Sequence, residues 1–325
     1  MATTIKSFKG FNKDLKCRDF QYEVGKTYKH EGNISVCNSG FHACENPFDV
    51  LNYYSDIDGK YCEVEQSGNI QQRENKIASS EIRIVAEIGF AGLFKAGVEW
   101  IKKITNPQTI IIATKDKDDD ASGYSAKIGS SGYSAQIGSS GYSAQIGSSG
   151  DYAKIGSSGD YAQIGSSGYS AKIGSSGYSA QIGSSGNSAQ IGSSGDYAKI
   201  GSSGYSAQIG SSGYSAKIGS SGYSAQIGSS GNSAQIGSSG DYAQIGSSGD
   251  YAKIDSTGED SVICCAGDNS KVKASKGSWI TLSEWEYDKV KKRNIPKCVK
   301  TEFVDGERIK ADTWYELVNG EFKEV

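Results

Sequence analysis

From Gly123 to Thr257 one hydrophobic pattern recurs fifteen times without insertion, in the form Gly-x-x-Ala-[Lys/Gln]-Ile-Gly-Ser-Ser. Isoleucines from Ile128 and Ile137 to Ile254 form one column at every ninth position, and alanines from Ala126 to Ala252 form another, two residues earlier. Within a unit the apolar Ala and Ile alternate with polar neighbours. That two-residue period turns both apolar side chains to one face of a short strand. The Gly-Ser-Ser-Gly that follows combines permissive backbone with small polar side chains, and is assigned to a turn. One such unit cannot bury its apolar face alone, so copies must stack. The predicted fold class is mainly β, a parallel β-solenoid (β-roll) of nine-residue repeats. Two units per coil set two parallel sheets face to face across a thin Ala/Ile core. A three-sided coil would enclose a triangular lumen that Ala beside Ile fills poorly. At ~4.8 Å per coil, about seven and a half two-sided coils span roughly 36 Å.

The period degenerates beyond Ile254 but continues through Gly258 and Gly267, with Ile263 and Val272 in the isoleucine column, until Trp279 and Trp285 bring bulk. Ahead of the array, the pattern predicts a helix over Phe90–Lys103 and a β-rich run over Thr109–Thr114, placed to cover the first coil. An N-terminal module over residues 5–88 reads as mixed α/β. Phe20–Tyr28 and Lys60–Gln66 look extended, and Asn46-Pro47 caps a helix over Phe48–Tyr54 with Val50, Leu51 and Tyr54 on one face. From Lys297 onward the chain alternates again, with Asp305-Gly306 and Asn319-Gly320 as hairpin signals for a small β-meander. The organisation expected is an N-terminal α/β module and cap over 1–116, the solenoid over 117–276, and a C-terminal cap and meander over 277–325.

Thirteen tyrosines punctuate the array, at the second position of a unit (Tyr124, Tyr133, Tyr142) or at the third after Asp (Tyr152, Tyr161). These rings are the candidate binding residues, because aromatic rows offer rigid, exposed faces. The alternative is cross-coil stacking that supports the fold. Gly168–Ser203 matches Gly213–Ser248 except for Lys199 against Gln244. An offset of five units is two and a half coils, which puts the copy on the opposite face.

The formal net charge of −3 in 325 residues argues against a polyanionic partner, nucleic acid or an anionic membrane surface. Seven cysteines, at 17, 37, 44, 62, 264, 265 and 298, are expected as free thiols in a reducing cytoplasm. Cys37, His42 and Cys44 with Cys17 or Cys62 offer zinc-type ligands, but without a Cys-x-x-Cys pair buried thiols are the expectation, and no metal. His30 and His42 are the only histidines, and neither has an obvious nucleophile beside it.

Three resemblances add expectations. Lys9-Gly10-Phe11, Leu15-Lys16-Cys17 and Gly40-Phe41-His42-Ala43-Cys44-Glu45-Asn46-Pro47 are similar to an uncharacterised family of phages and prophages, in which such a module precedes Ala/Gly/Ser repeats. That resemblance implies no activity. The array resembles the parallel β-rolls of trimeric adhesin heads, which implies a roll and an oligomer. The calcium-binding nonapeptides of secreted toxins share only the period, since Asp occurs in five of the fifteen units. Finally, Gly40-Phe41-His42-Ala43, the helix ending Asn52-Tyr53-Tyr54 and the strand Tyr61-Cys62-Glu63-Val64 resemble the ADP-ribosyltransferase fold. That likeness implies NAD as cosubstrate and Lys9, His42 and Glu81 as site residues, Glu81 acting electrostatically as nicotinamide leaves. The reading taken is a non-enzymatic structural or interaction protein without a cofactor, phage-associated, in the host cytoplasm or the phage particle. Its partner is a protein or a second copy of itself. The alternatives are the transferase-like module and an intracellular inhibitor of a host defence protein.

Overall fold

A computed structural model describes residues 4–73, 75–105, 113–114, 119–121 and 124–325. The chain forms two compact units, Met1–Trp100 and Ile101–Val325.

In the first unit, an antiparallel sheet is built from β1 (Ile5–Phe11), β4 (Thr27–Lys29), β5 (Phe41–Ala43) and the long hairpin β6 (Lys60–Arg73) and β7 (Lys76–Glu87). Its order is β1-β6-β7-β4, with β5 also on β7. Between β1 and β4, β2 (Lys16–Cys17) and β3 (Phe20–Gln21) pair with each other, so the extended run expected from Phe20 to Tyr28 is two short pieces. The helix expected over Phe48–Tyr54 is a single turn, α1 (Pro47–Val50). Asn46 starts it, its side-chain oxygen accepting the Phe48 N–H at 3.0 Å. Leu51 to Tyr53 then continue as turns, which still leaves Val50 and Leu51 buried. The longer helix α2 (Gly89–Ile104) matches the expected span to within a residue. Phe94 packs on Phe48 of α1 and Phe90 on Tyr61 of β6, with ring centroids 5.3 and 5.9 Å apart. A β-carbon at Gly97 would lie 2.6 Å from Phe48, so this helix approaches α1 through a glycine.

The second unit is the solenoid. Strands at Lys127–Ser130, Gln145–Ser148, Gln163–Ser166 and onward form one parallel sheet (sheet I), while Gln136–Ser139, Lys154–Ser157, Lys172–Ser175 and onward form the other (sheet II). Ile146 pairs with Ile164 in sheet I and Ile155 with Ile173 in sheet II. The eighteen-residue step between these partners makes the coil two-sided, and it puts each strand of Gly168–Ser203 on the opposite sheet from its counterpart in Gly213–Ser248. The isoleucines and alanines are almost fully buried and make one continuous core. Each buried isoleucine contributes about 1.5–3 kcal/mol, small against the cost of ordering nine residues, so coils persist only as a stack. Of the expected β-rich run before the array, Ala113–Thr114 pair with Gly129–Ser130; residues 109–112 lie outside the described residues.

One element of the turn assignment is corrected. The strand continues through Gly and the first Ser of Gly-Ser-Ser, because the two-residue alternation does not stop at Ile. That serine therefore points into the core, as Ser148, Ser166 and Ser202 do. At several corners its hydroxyl accepts a turn N–H, Gly150 N to Ser148 Oγ being 3.3 Å. The core is Ala/Ile/Ser.

Corners are tied between coils. The third residue of a unit is left-handed at many of them, with φ of 56° at Tyr161 and 53° at Ser179. Its N–H donates to the second-residue carbonyl of the next coil, Tyr161 N to Tyr178 O and Ser179 N to Asp196 O both being 2.8 Å. Where the second residue is Asp, its carboxylate accepts the next coil's second N–H, as Asp160 does from Tyr178 and Asp196 from Tyr214, both at 2.7 Å. Asp151, Asp241 and Asp250 do the same, so all five second-position aspartates act as intercoil acceptors. Asp196→Ala is expected to cost about 1.5–3 kcal/mol, the usual worth of a hydrogen bond to a charged group. Asp196→Asn should recover most of it, since Asn232 already accepts from Asp250 at 3.0 Å. Urea unfolding of the two variants checks this; equal midpoints for Asp196→Ala and the parent would count against it.

The far end is closed. Trp279–Asp288 continues sheet II in parallel with Val262–Cys265, offset by seventeen residues rather than eighteen. It then turns back as an antiparallel strand, Arg293–Phe303. Tyr315–Val318 and Glu321–Glu324 make a second hairpin, and Tyr315 meets Val272 antiparallel on sheet I. Val304, Ile309, Tyr315 and Leu317 extend the solenoid core. Asn319 and Gly320, with φ of 54° and 73°, form the expected tight turn. Asp305-Gly306 instead begins a longer loop held by Asp305, whose carboxylate accepts from Glu307, Arg308 and Ile309. Lys289, Lys291, Lys292 and Arg293 follow Asp288 at the hairpin turn.

Candidate functional site

The two tyrosine classes of the sequence merge into ladders. On one corner, Tyr124, Tyr142, Tyr161, Tyr178, Tyr197 and Tyr214 follow one another with centroid spacings of 5.0, 5.2, 5.9, 5.2 and 5.8 Å. From Tyr142 onward, second-position and left-handed third-position rings alternate in this row. The left-handed conformation of Tyr161 and Tyr197 swings each ring into the row its second-position neighbours occupy. The opposite corner carries Tyr133 with Tyr152, and Tyr205 with Tyr223 and Tyr242. Tyr169 and Asn187 stand between these groups. Of the five predicted binding tyrosines, then, Tyr124, Tyr142 and Tyr161 share one corner and Tyr133 and Tyr152 the other. The rings stack across coils, the structural role weighed against binding, and yet remain 41–74 % exposed. Sequence spacing alone could not reveal the alternation, because it depends on the backbone sign at position three.

Outside sheet II lies an open groove of about 1460 Å³. Its wall is the Lys/Gln row from Gln136 to Gln244, and its floor is a column of glycines from Gly138 to Gly246, closed by Cys264. A β-carbon at Gly156, Gly174 or Gly192 would meet nothing within 4 Å. On sheet I, Thr105 of the same unit occupies the equivalent space over Gly147 and Gly165.

A second cavity, of about 480 Å³, lies in the first unit and is lined by β1, β5, α1 and the segments around Arg18 and Cys37. Lys9, on β1, is 6 % exposed. Its ammonium donates to the His42 carbonyl at 2.9 Å and lies 5.4 Å from the Phe11 ring centre. Burial lowers its pKa from the usual lysine value. His42 Nε2 accepts the Cys37 N–H at 2.9 Å, and desolvation likewise lowers the imidazole's pKa. Tyr54 donates its hydroxyl to Cys17 Sγ at 2.9 Å. Lys76 Nζ sits 3.8 Å from the centre of the Tyr53 ring. Lys9 and His42 are thus brought together. Glu81 is not among the residues lining this cavity: on β7 it pairs with Lys29 at 2.9 Å, and that hydrogen bond holds its carboxyl below the ordinary range. Cys62 is buried on β6, where desolvation pushes its thiol up to about 12. No described helix is long and apolar enough to cross a membrane, and among the described residues no cluster of His, Cys, Asp or Glu is arranged to hold a metal ion.

Stack, corners and closed end together define a two-sided parallel β-solenoid carrying an α/β module ahead of it. That module, over residues 5–96, matches a family described as a domain of unknown function, DUF7666. No curated protein and no solved structure matches the chain.

Proposed function

We propose that this chain is a non-enzymatic interaction protein whose solenoid is a rigid surface presenting tyrosine ladders to a protein partner or to a second copy of itself, without a cofactor. The carrying observation is the six-ring row from Tyr124 to Tyr214: stacking across coils immobilises the rings, while about half of each stays open to solvent. Rigid aromatic faces bind with little loss of side-chain entropy, which is why tyrosine is favoured at interfaces. The N-terminal resemblance to phage and prophage chains supports a phage-associated setting, in the particle or the host cytoplasm.

Asn187 and Asn232 already occupy second positions, so asparagine is a substitution these corners accept. The triple variant Tyr142→Asn, Tyr178→Asn, Tyr214→Asn is expected to keep its circular dichroism spectrum while losing at least tenfold in binding. The readout is quantitative capture from host lysate together with sedimentation velocity of the chain alone. Identical captured proteins and identical sedimentation for parent and variant would overturn the ladder as the binding surface.

A further inference from the structure

We infer that the cavity of the first unit is a receptor for a small phosphate-bearing anion, with Lys9 as its innermost cation and Arg18 and Lys76 nearer its mouth. The lining contains three basic side chains, Lys9, Arg18 and Lys76, and no carboxylate. Lys9 is the unusual one. A buried ammonium is normally matched by a carboxylate, because removing a lone charge from water costs several kcal/mol. Here, among the described residues, it meets the His42 carbonyl, the Cys17 thiol and the faces of Phe11 and Tyr22, and no carboxylate. An ammonium has three donors, and the His42 carbonyl and the Cys17 sulfur take two. An anion in the cavity supplies the missing countercharge and a third acceptor.

The cavity's shape and backbone agree with this. At about 480 Å³ it falls within the range of small-molecule sites. Arg18 and Cys37, which flank it, hold left-handed backbone with φ of 55° and 73°, a conformation that side chains other than glycine's adopt at a cost and that gathers at ligand sites. Arg18 is exposed, which leaves its planar fork available for two parallel hydrogen bonds to an oxyanion. Three cations match a phosphate monoester, which carries about −1.5 to −2 at neutral pH, better than they match a monovalent carboxylate. Tyr53 and Tyr54 line the same cavity and could hold a ring attached to the phosphate.

The test is calorimetric titration of the intact chain with inorganic phosphate, adenosine monophosphate and adenosine. Both phosphates are expected to bind, with adenosine at least tenfold weaker than its monophosphate. A monophosphate tighter than free phosphate assigns a nucleotide-like ligand, and equal affinities assign phosphate itself. Lys9→Met should abolish binding. Because a buried substitution can disturb folding, Arg18→Gln and Lys76→Gln are the decisive variants: each should weaken phosphate binding about tenfold while leaving the thermal midpoint in place. The proposal is overturned if neither phosphate binds at millimolar concentration, if adenosine binds as tightly as its monophosphate, or if both glutamine variants bind like the parent. Each of these results leaves the reading of the solenoid untouched.

Discussion

Gly195→Ala is expected to destabilise the array by about 3 kcal/mol or more, whereas Gly192→Ala, three residues away, should be neutral or stabilising by about 0.5–1 kcal/mol. The Gly195 position is glycine in all fifteen units and the Gly192 position in fourteen, Asp255 replacing it in the last. A β-carbon on Gly195 would overlap the carbonyl oxygen of Gly177 in the coil below, and backbone cannot step aside without breaking the intercoil hydrogen bonds around it. Gly192 sits on the outer face of sheet II, where added atoms meet open space. Alanine there only reduces the freedom of the unfolded chain. In a stack where each coil is held by its neighbours, the Gly195 collision should also uncouple the coils on either side. Urea unfolding of both variants, followed by far-ultraviolet circular dichroism, decides the matter. Similar midpoints for the two alanine variants would remove the close backbone stacking on which the corner description rests.

Deleting residues 277–325 is expected to convert the chain into species larger than the parent, with β structure retained. The deletion takes away the strand that pairs with Val262–Cys265 and the one that meets Val272, so both sheets end on open edges. It also uncovers Ile263, Cys265, Val272 and Ala274 by removing Ile280, Leu282, Tyr315 and Leu317 from the same core. Each large side chain lost this way forfeits about 1.5–3 kcal/mol of burial. Unpaired parallel edges above an apolar layer are templates for another chain. Sedimentation velocity at several concentrations, with reductant present to exclude disulfides, measures the outcome. A truncated chain with the parent's sedimentation and melting profile would show that the terminal hairpins are appendages rather than a closure.

The terminal regions were the least legible in the sequence. Asp305-Gly306 looks as good a hairpin signal as Asn319-Gly320, yet only the latter joins paired strands, because the chain after Val304 must first cross the end of the core with Ile309. The cavity of the first unit was half visible: Lys9 and His42 were noticed through a resemblance, while Arg18, Lys76 and the absence of a carboxylate depend on which loops meet. Glu81 shows the converse, since its motif resembled a catalytic position and its strand places it against Lys29.

The sequence by itself determined that residues 123–257 would stack as a parallel solenoid, because an apolar pair recurring every nine residues leaves water only by stacking, and it favoured two sides; the eighteen-residue pairing step decided that number. It determined the isoleucine and alanine columns, and their continuation through Ile263 and Val272. Only tertiary structure decided that serine joins the core, that aspartates bridge coils, and that tyrosines from two sequence positions form single rows. Those features arise from contacts eighteen residues apart and from the sign of one backbone angle per corner, neither of which a nine-residue pattern encodes.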